Sequence, residues 1–136
     1  MLKRFTIAHP SMTPSLLPGD AIMACRTARP PSRGAIIVFE AEDGLFVVKR
    51  VLALDGETIS ASGGVVSING ASLDRWAVGL TSPFEATVVP DGHVWVLGDR
   101  RELSTEDSRT LGPIPVATWW RAAFRYHPIS RVAWLG

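Results

Sequence analysis

The sequence predicts a mainly β fold, a compact antiparallel barrel or folded sheet with few short helices. Three observations predict it. Proline and glycine number 10 and 12 in 136 residues and cut the chain into short segments. The apolar runs between these breaks have strand length, and few windows hold a helical period. Turn dipeptides of hairpin type separate several pairs of runs.

In chain order, residues 12–17 have room for one short turn of helix, limited by Pro14 and Pro18. Residues 36–39 and 45–48 flank Glu42, Asp43 and Gly44, and Asp-Gly between apolar runs is a hairpin signal. The second of these strands is expected to continue through residues 49–52. Gly63 and Gly64 break the chain before a strand at 65–68, and Asn69-Gly70 turns it into Ala71, Ser72 and Leu73. Residues 74–87 read as a short loop-rich insertion around Pro83. A strand at 93–97 starts after Pro90, Asp91 and Gly92 and stops at Gly98-Asp99. Residues 117–126 fit either a helix or a strand. No internal repeat or long linker divides the chain, so residues 1–136 are expected to form one domain.

A hydrophobic fraction of 46% with 20% charged residues is that of a folded globular chain. A net charge of +1 supplies no broad field to attract nucleic acid. One cysteine makes no internal disulfide, and no Cys/His spacing resembles a zinc site, so neither metal nor cofactor is expected. No apolar run is long enough to cross a bilayer as a helix. Near the C-terminus Trp119, Trp120, Phe124, Tyr126 and Trp134 mix with Arg121, Arg125 and Arg131. This aromatic-basic tail reads as a final element packed on the sheet, with contact at a membrane interface as the alternative. Cys25 reads as a small buried residue, and His93 and His127 as structural or exposed.

Four segments carry chemistry-bearing residues: 11–20, 33–39, 49–57 and 98–109. A serine hydroxyl is a weak nucleophile that needs a base to remove its proton, and three scattered histidines offer few partners. Lys49 sits among Phe46, Val47, Val48, Val51 and Leu52. An ammonium in apolar surroundings loses hydration, which lowers its pKa and lets the neutral amine serve as a general base. Strand alternation puts Lys49 on one face with Val47 and Val51. Taken singly, Lys49 reads first as a solvated edge lysine and Ser11 equally as a turn residue, so neither alone names an enzyme.

Together, the segments resemble the boxes of the type I signal peptidase family, the Ser/Lys endopeptidases. The pattern Ser-Met-x-Pro-Thr-Leu-x-x-Gly-Asp is met by Ser11, Met12, Pro14, Leu16, Gly19 and Asp20, with Ser15 in place of Thr. Lys-Arg-Val is met by Lys49, Arg50 and Val51, with Gly56-Glu57 following. Gly-Asp-Asn-Arg-x-x-Ser-x-Asp-Ser-Arg is met by Gly98, Asp99, Arg101, Ser104, Asp107, Ser108 and Arg109, with Arg100 in place of Asn and Ser104 and Asp107 taken as in register. The resemblance implies Ser11 as nucleophile, Lys49 as general base and Ser104 as the hydroxyl that orients the lysine amine. It implies a wall-forming charged pair in Asp107 and Arg109, for which a purely structural ion pair is the alternative. It also implies an oxyanion hole that includes the Ser11 N–H, Met12 in the substrate cleft or the core, and a peptide substrate bound in extended form.

The departures from the pattern are informative. Where many bacterial members carry a serine two residues before the nucleophile, this chain has His9, a candidate oxyanion donor, followed by Pro10. In the segment 33–39 Ala35 follows Gly34 where the family usually has Asp. Ten residues precede Ser11, where membrane-bound members carry spanning helices. This is similar to the small branch that removes a propeptide from nickel superoxide dismutase, and it implies a cytoplasmic enzyme, at most peripheral to a membrane. A self-cleaving Ser/Lys regulator and a non-catalytic peptide-binding module on the same scaffold are the alternatives.

Overall fold

A computed structural model describes the chain apart from residues 27, 28, 42 and 43 and the side chain of residue 118. Twelve strands are defined among the described residues: β1 (Leu2–Thr6), β2 (Ala21–Cys25), β3 (Ile36–Glu40), β4 (Phe46–Ala53), β5 (Thr58–Ser62), β6 (Val65–Ile68), β7 (Ala71–Ser72), β8 (Phe84–Val88), β9 (His93–Leu97), β10 (Ile114–Pro115), β11 (Trp119–His127) and β12 (Ala133–Trp134). The helical elements are four 3₁₀ turns and one four-residue helix, α1 (Ser108–Leu111). The larger sheet runs β1-β2-β11-β3-β4-β9-β10 with β12 beside β11, and the smaller runs β7-β6-β5-β8. Every strand pair is antiparallel. The fold is therefore mainly β and antiparallel, as the sequence predicts, but the sheet is not closed into a barrel. The folded-sheet form of the expectation is the one realised.

The hairpin between β3 and β4 pairs Ile37 with Lys49 and Ile36 with Arg50. The turn residues Glu42 and Asp43 expected to make it lie outside the described residues. Asn69 takes φ 51° and Gly70 φ 84°, the left-handed pair that a tight turn between right-twisted strands requires, and β6 and β7 pair across them. The insertion at 74–87 is shorter than expected as a loop. Its end, from Phe84, belongs to β8, which pairs with β5.

The ambiguous C-terminal segment is a strand. Trp119 joins the apolar cluster of Ile37, Phe39, Val51 and Val96. Trp120 joins the cluster of Ile22, Ile36, Val38 and Met12. Consecutive tryptophans on opposite faces, each buried in a different cluster, require a two-residue period that a helix does not have. The tail is thus packed into the sheet as its third strand. Arg125 and Arg131 also turn inward, with Arg131 Nη1 2.5 Å from Asp20 Oδ1 and Arg125 Nη1 3.6 Å from Asp20 Oδ2. Trp134 alone of the five tryptophans is largely exposed, at 83%. Among the described residues, no helix is long and apolar enough to cross a membrane.

Candidate active site

Ser11 lies in the 3₁₀ turn Pro10–Met12, where the Thr13 N–H closes the turn on the Pro10 carbonyl at 3.0 Å. Residues 12–17 accordingly hold less helix than the sequence suggests. The turn starts two residues earlier, and Pro10 occupies its first position, where a missing N–H is harmless. Met12 and Leu16 anchor it by burial in the cluster against β2, β3 and β11. Met12 also lines the cleft that holds Ser11 and Lys49.

The loop 98–104 locks onto this turn. The Arg100 N–H donates to the Ser11 carbonyl at 2.9 Å, and the Gly98 N–H donates to Ser104 Oγ at 2.8 Å. A side chain at Gly98 would put Cβ 2.6 Å from Ser104 Oγ and 2.7 Å from the Ser11 carbonyl oxygen, so only glycine lets the three segments meet.

A cleft of about 220 Å³ runs along this junction. Ser11 and Lys49 both line it, as do His9, Met12, Thr105 and Glu106, with apolar walls from β4 and residues 6–8. Ser11 and Lys49 are buried, whereas His9 is exposed at the rim. Burial pushes the Lys49 amine down to about 8, against the opposing pull of the Asp107 and Glu106 carboxylates, with Arg109 adding to the downward push. Half or more of the amine population is thus neutral in mildly alkaline water, where an ordinary lysine is almost wholly charged.

Ser104 and Asp107 are buried beside the cleft-lining residues Leu103, Thr105 and Glu106, and Asp107 acts on Lys49 through its charge. Ser104 Oγ donates to Asp107 Oδ2 at 2.6 Å and accepts from Gly98. With its proton committed to Asp107, the hydroxyl faces any further partner as an acceptor. The register of this box differs from the pattern. Two residues, Thr105 and Glu106, separate Ser104 from Asp107 where the pattern has one. The contact survives because Asp107 turns back as the N-cap of α1, accepting from the Arg109 N–H at 2.9 Å.

Arg109 is the strap. Its Nη2 reaches Asp107 Oδ2 at 2.9 Å, the Ser104 carbonyl at 2.8 Å and the Arg101 carbonyl at 3.0 Å, while Nη1 donates to Ser82 Oγ at 2.9 Å. One guanidinium therefore ties the box to the loop after Leu80.

Two buried networks were not assigned from the sequence, although their residues fell inside the boxes. Arg50 clamps Asp99 with two bonds, Nε to Oδ1 at 2.9 Å and Nη2 to Oδ2 at 2.7 Å, and Ser15 Oγ donates to Asp99 at 2.9 Å. Asp20 accepts from the Leu17 N–H at 2.8 Å and from Arg131. The boxes thus carry structural ion pairs beside the reactive residues, and identity of residue type alone does not separate the two. Cys25 is a half-buried free thiol on β2, and His93 Nδ1 lies 2.8 Å from the Asp91 carbonyl on the surface. Neither approaches the cleft. Among the described residues, no group of three or more His, Cys, Asp or Glu is placed to hold a metal ion.

Residues 1–126 match the family model described as signal peptidase, peptidase S26. The chain is 35% identical to the probable signal peptidase I-1 of Synechocystis, with all of this chain and 80% of that one aligned. It is 31% identical to thylakoidal processing peptidase 1 of Arabidopsis thaliana, over 94% of this chain but 43% of that protein, so it spans less than half the length of that relative. A crystal structure of a signal peptidase I from Enterococcus faecalis superposes with a TM-score of 0.59 at 29% identity, covering 68% of this chain and 96% of that one. The chain belongs to the signal peptidase, peptidase S26, family.

Proposed function

We propose that the chain is a serine endopeptidase that removes an N-terminal signal or propeptide segment from a partner protein, with Ser11 as nucleophile and Lys49 as general base. The observation that carries this reading is a buried lysine, lowered to about 8, lining one cleft with a buried serine.

In this mechanism the neutral Lys49 amine takes the Ser11 proton as Oγ attacks the scissile carbonyl carbon. The resulting oxyanion is held by the Ser11 N–H, with His9 at the rim as a further donor. The Lys49 ammonium then protonates the departing amine, the C–N bond breaks, and an acyl ester remains on Ser11. Water, deprotonated by the regenerated amine, hydrolyses that ester and frees the serine. Ser104 serves by accepting an N–H of Lys49, which aims the amine lone pair at Ser11. Asp107 holds Ser104 in that role, and Arg109 holds Asp107.

The extended peptide lies along the β4 side of the cleft, where Leu45, Phe46 and Val48 present apolar surface. The propeptide of nickel superoxide dismutase is the substrate that the sequence resemblance favours, and a cytoplasmic site of action goes with it. Incubating the purified chain with that precursor tests the reading. A single N-terminal fragment should appear with the native chain and be absent with Ser11→Ala. Fragment release by Ser11→Ala at the native rate would overturn it.

A further inference from the structure

We infer that Glu106 is a specificity-determining residue of this cleft, whose carboxylate receives a positively charged side chain of the peptide beside the scissile bond. The inference rests on the peptidase reading above and adds the charge of the substrate to it.

The argument begins with the loop between Ser104 and Asp107. The family pattern leaves one residue there and this chain has two, so Thr105 and Glu106 together fill the place of a single side chain. Both are exposed, and both line the cleft that holds Ser11 and Lys49. Among the described residues that line it, Glu106 is the sole carboxylate.

Its neighbour in sequence shows the contrast. Asp107 is 1% exposed and both its oxygens are taken, by Ser104 and Arg109. Glu106 makes no hydrogen bond or ion pair among the described residues. The residue lines the cleft, and its carboxylate acts on Lys49 through space alone.

Catalysis makes this charge more conspicuous. The working base is the neutral amine, so in the active form Lys49 offers Glu106 no positive partner. The cleft then holds one uncompensated negative charge on an exposed side chain beside apolar walls, where a peptide cation gains a modest, salt-screened attraction. A lysine or arginine on the peptide satisfies that charge, and an acidic residue is repelled by it. Binding such a cation also screens the pull of Glu106 on Lys49 and so favours the neutral base. Asp107, Arg109 and the His9 ring at the rim are the other ionisable groups around the amine, and none of them is a carboxylate free to accept the peptide cation.

The test uses a set of peptides identical except for Lys, Gln or Glu at each position flanking the cut. At one position the native enzyme should cleave the Lys peptide about fivefold faster in kcat/KM than the Glu peptide, the size expected of a partly exposed ion pair. The ratio should shrink as salt is raised. Glu106→Gln should bring the ratio to about one. An unchanged ratio in Glu106→Gln, or no preference at any position in the native enzyme, would overturn the inference. Affinities of the same peptides for Ser11→Ala, by fluorescence anisotropy, read the preference without cleavage. If that variant prefers Lys while the native chain cleaves nothing, the peptidase reading fails and the charge preference stands.

Discussion

Lys49 and Arg50 are consecutive buried cations on β4, 3% and 6% exposed, and the protein treats them oppositely. Strand alternation sends their side chains to opposite faces of the sheet. On one face Arg50 meets Asp99 through two short bonds, donates to the Gly34 carbonyl at 2.9 Å, and shares Ser15 with its partner. On the other face no carboxylate comes within ion-pair distance of Lys49 among the described residues, and desolvation prevails over the more distant Asp107 and Glu106. A buried cation with its carboxylate in place is structure. A buried cation left short of one becomes a neutral amine with a lone pair to offer. The difference lies in the choice of side chain as well: a guanidinium keeps its proton in either setting, whereas an ammonium yields it.

The largest effects should come from removing the reactive side of this pair. Ser11→Ala and Lys49→Ala are each expected to lower kcat by about 10⁴-fold or more while circular dichroism and thermal unfolding remain those of a folded chain. Turnover by Lys49→Ala within tenfold of native would remove lysine from the mechanism.

Breaking the structural side should instead unfold. Arg50→Ala strands Asp99 without a cation and is expected to cost about 3–5 kcal/mol in denaturant unfolding. A loss below 1 kcal/mol would mean that Asp99 finds another partner.

The third variant has the opposite sign. The folded state holds the Lys49 amine near 8 while the unfolded chain holds it at 10.5, so at neutral pH burial of the charged form opposes folding. Because the folded pKa is lowered, the penalty is full below about 8, falls as pH rises, and is gone above 10.5. Lys49→Met should therefore stabilise the protein by about 1–3 kcal/mol at neutral pH, with the gain shrinking as the medium becomes alkaline. A destabilised, pH-independent Lys49→Met would show that the lysine is not held at such a penalty.

The smallest effect belongs to the partly exposed pair of Arg33 and Glu57, joined at 2.6 and 2.8 Å near the edge of the same strand. Solvent screens it, and Arg33→Ala should cost about 1 kcal/mol or less, with part of that recovered in high salt.

These contrasts also mark what could be read without a structure. The strands were legible because Gly-Asp and Asn-Gly breaks and apolar runs act locally, and β4, β6 and β9 lie close to where those signals put them. Residues 117–126 were ambiguous because aromatic and arginine positions fit both periods. Only packing of Trp119 and Trp120 into separate clusters decides the matter. The chemical boxes were legible as residue types, but the roles within them were not. Nothing local tells that Arg50 reaches Asp99 across 49 residues, or that Asp20 meets Arg131 across 111. Glu106 escaped because Ser104 and Asp107 were taken as in register, which hides the added residue between them until the loop is seen to line the cleft.

The central claim is that Ser11 is activated by a lysine held neutral near its working pH. Acylation of Ser11 by a serine-directed probe, followed by mass spectrometry as a function of pH, tests it most directly. The rate should climb with pH through a single ionisation near 8, the value set by burial of Lys49, and the adduct should vanish in Lys49→Met. An acylation rate that stays flat between about pH 6 and pH 10, or persists unchanged in Lys49→Met, would contradict it.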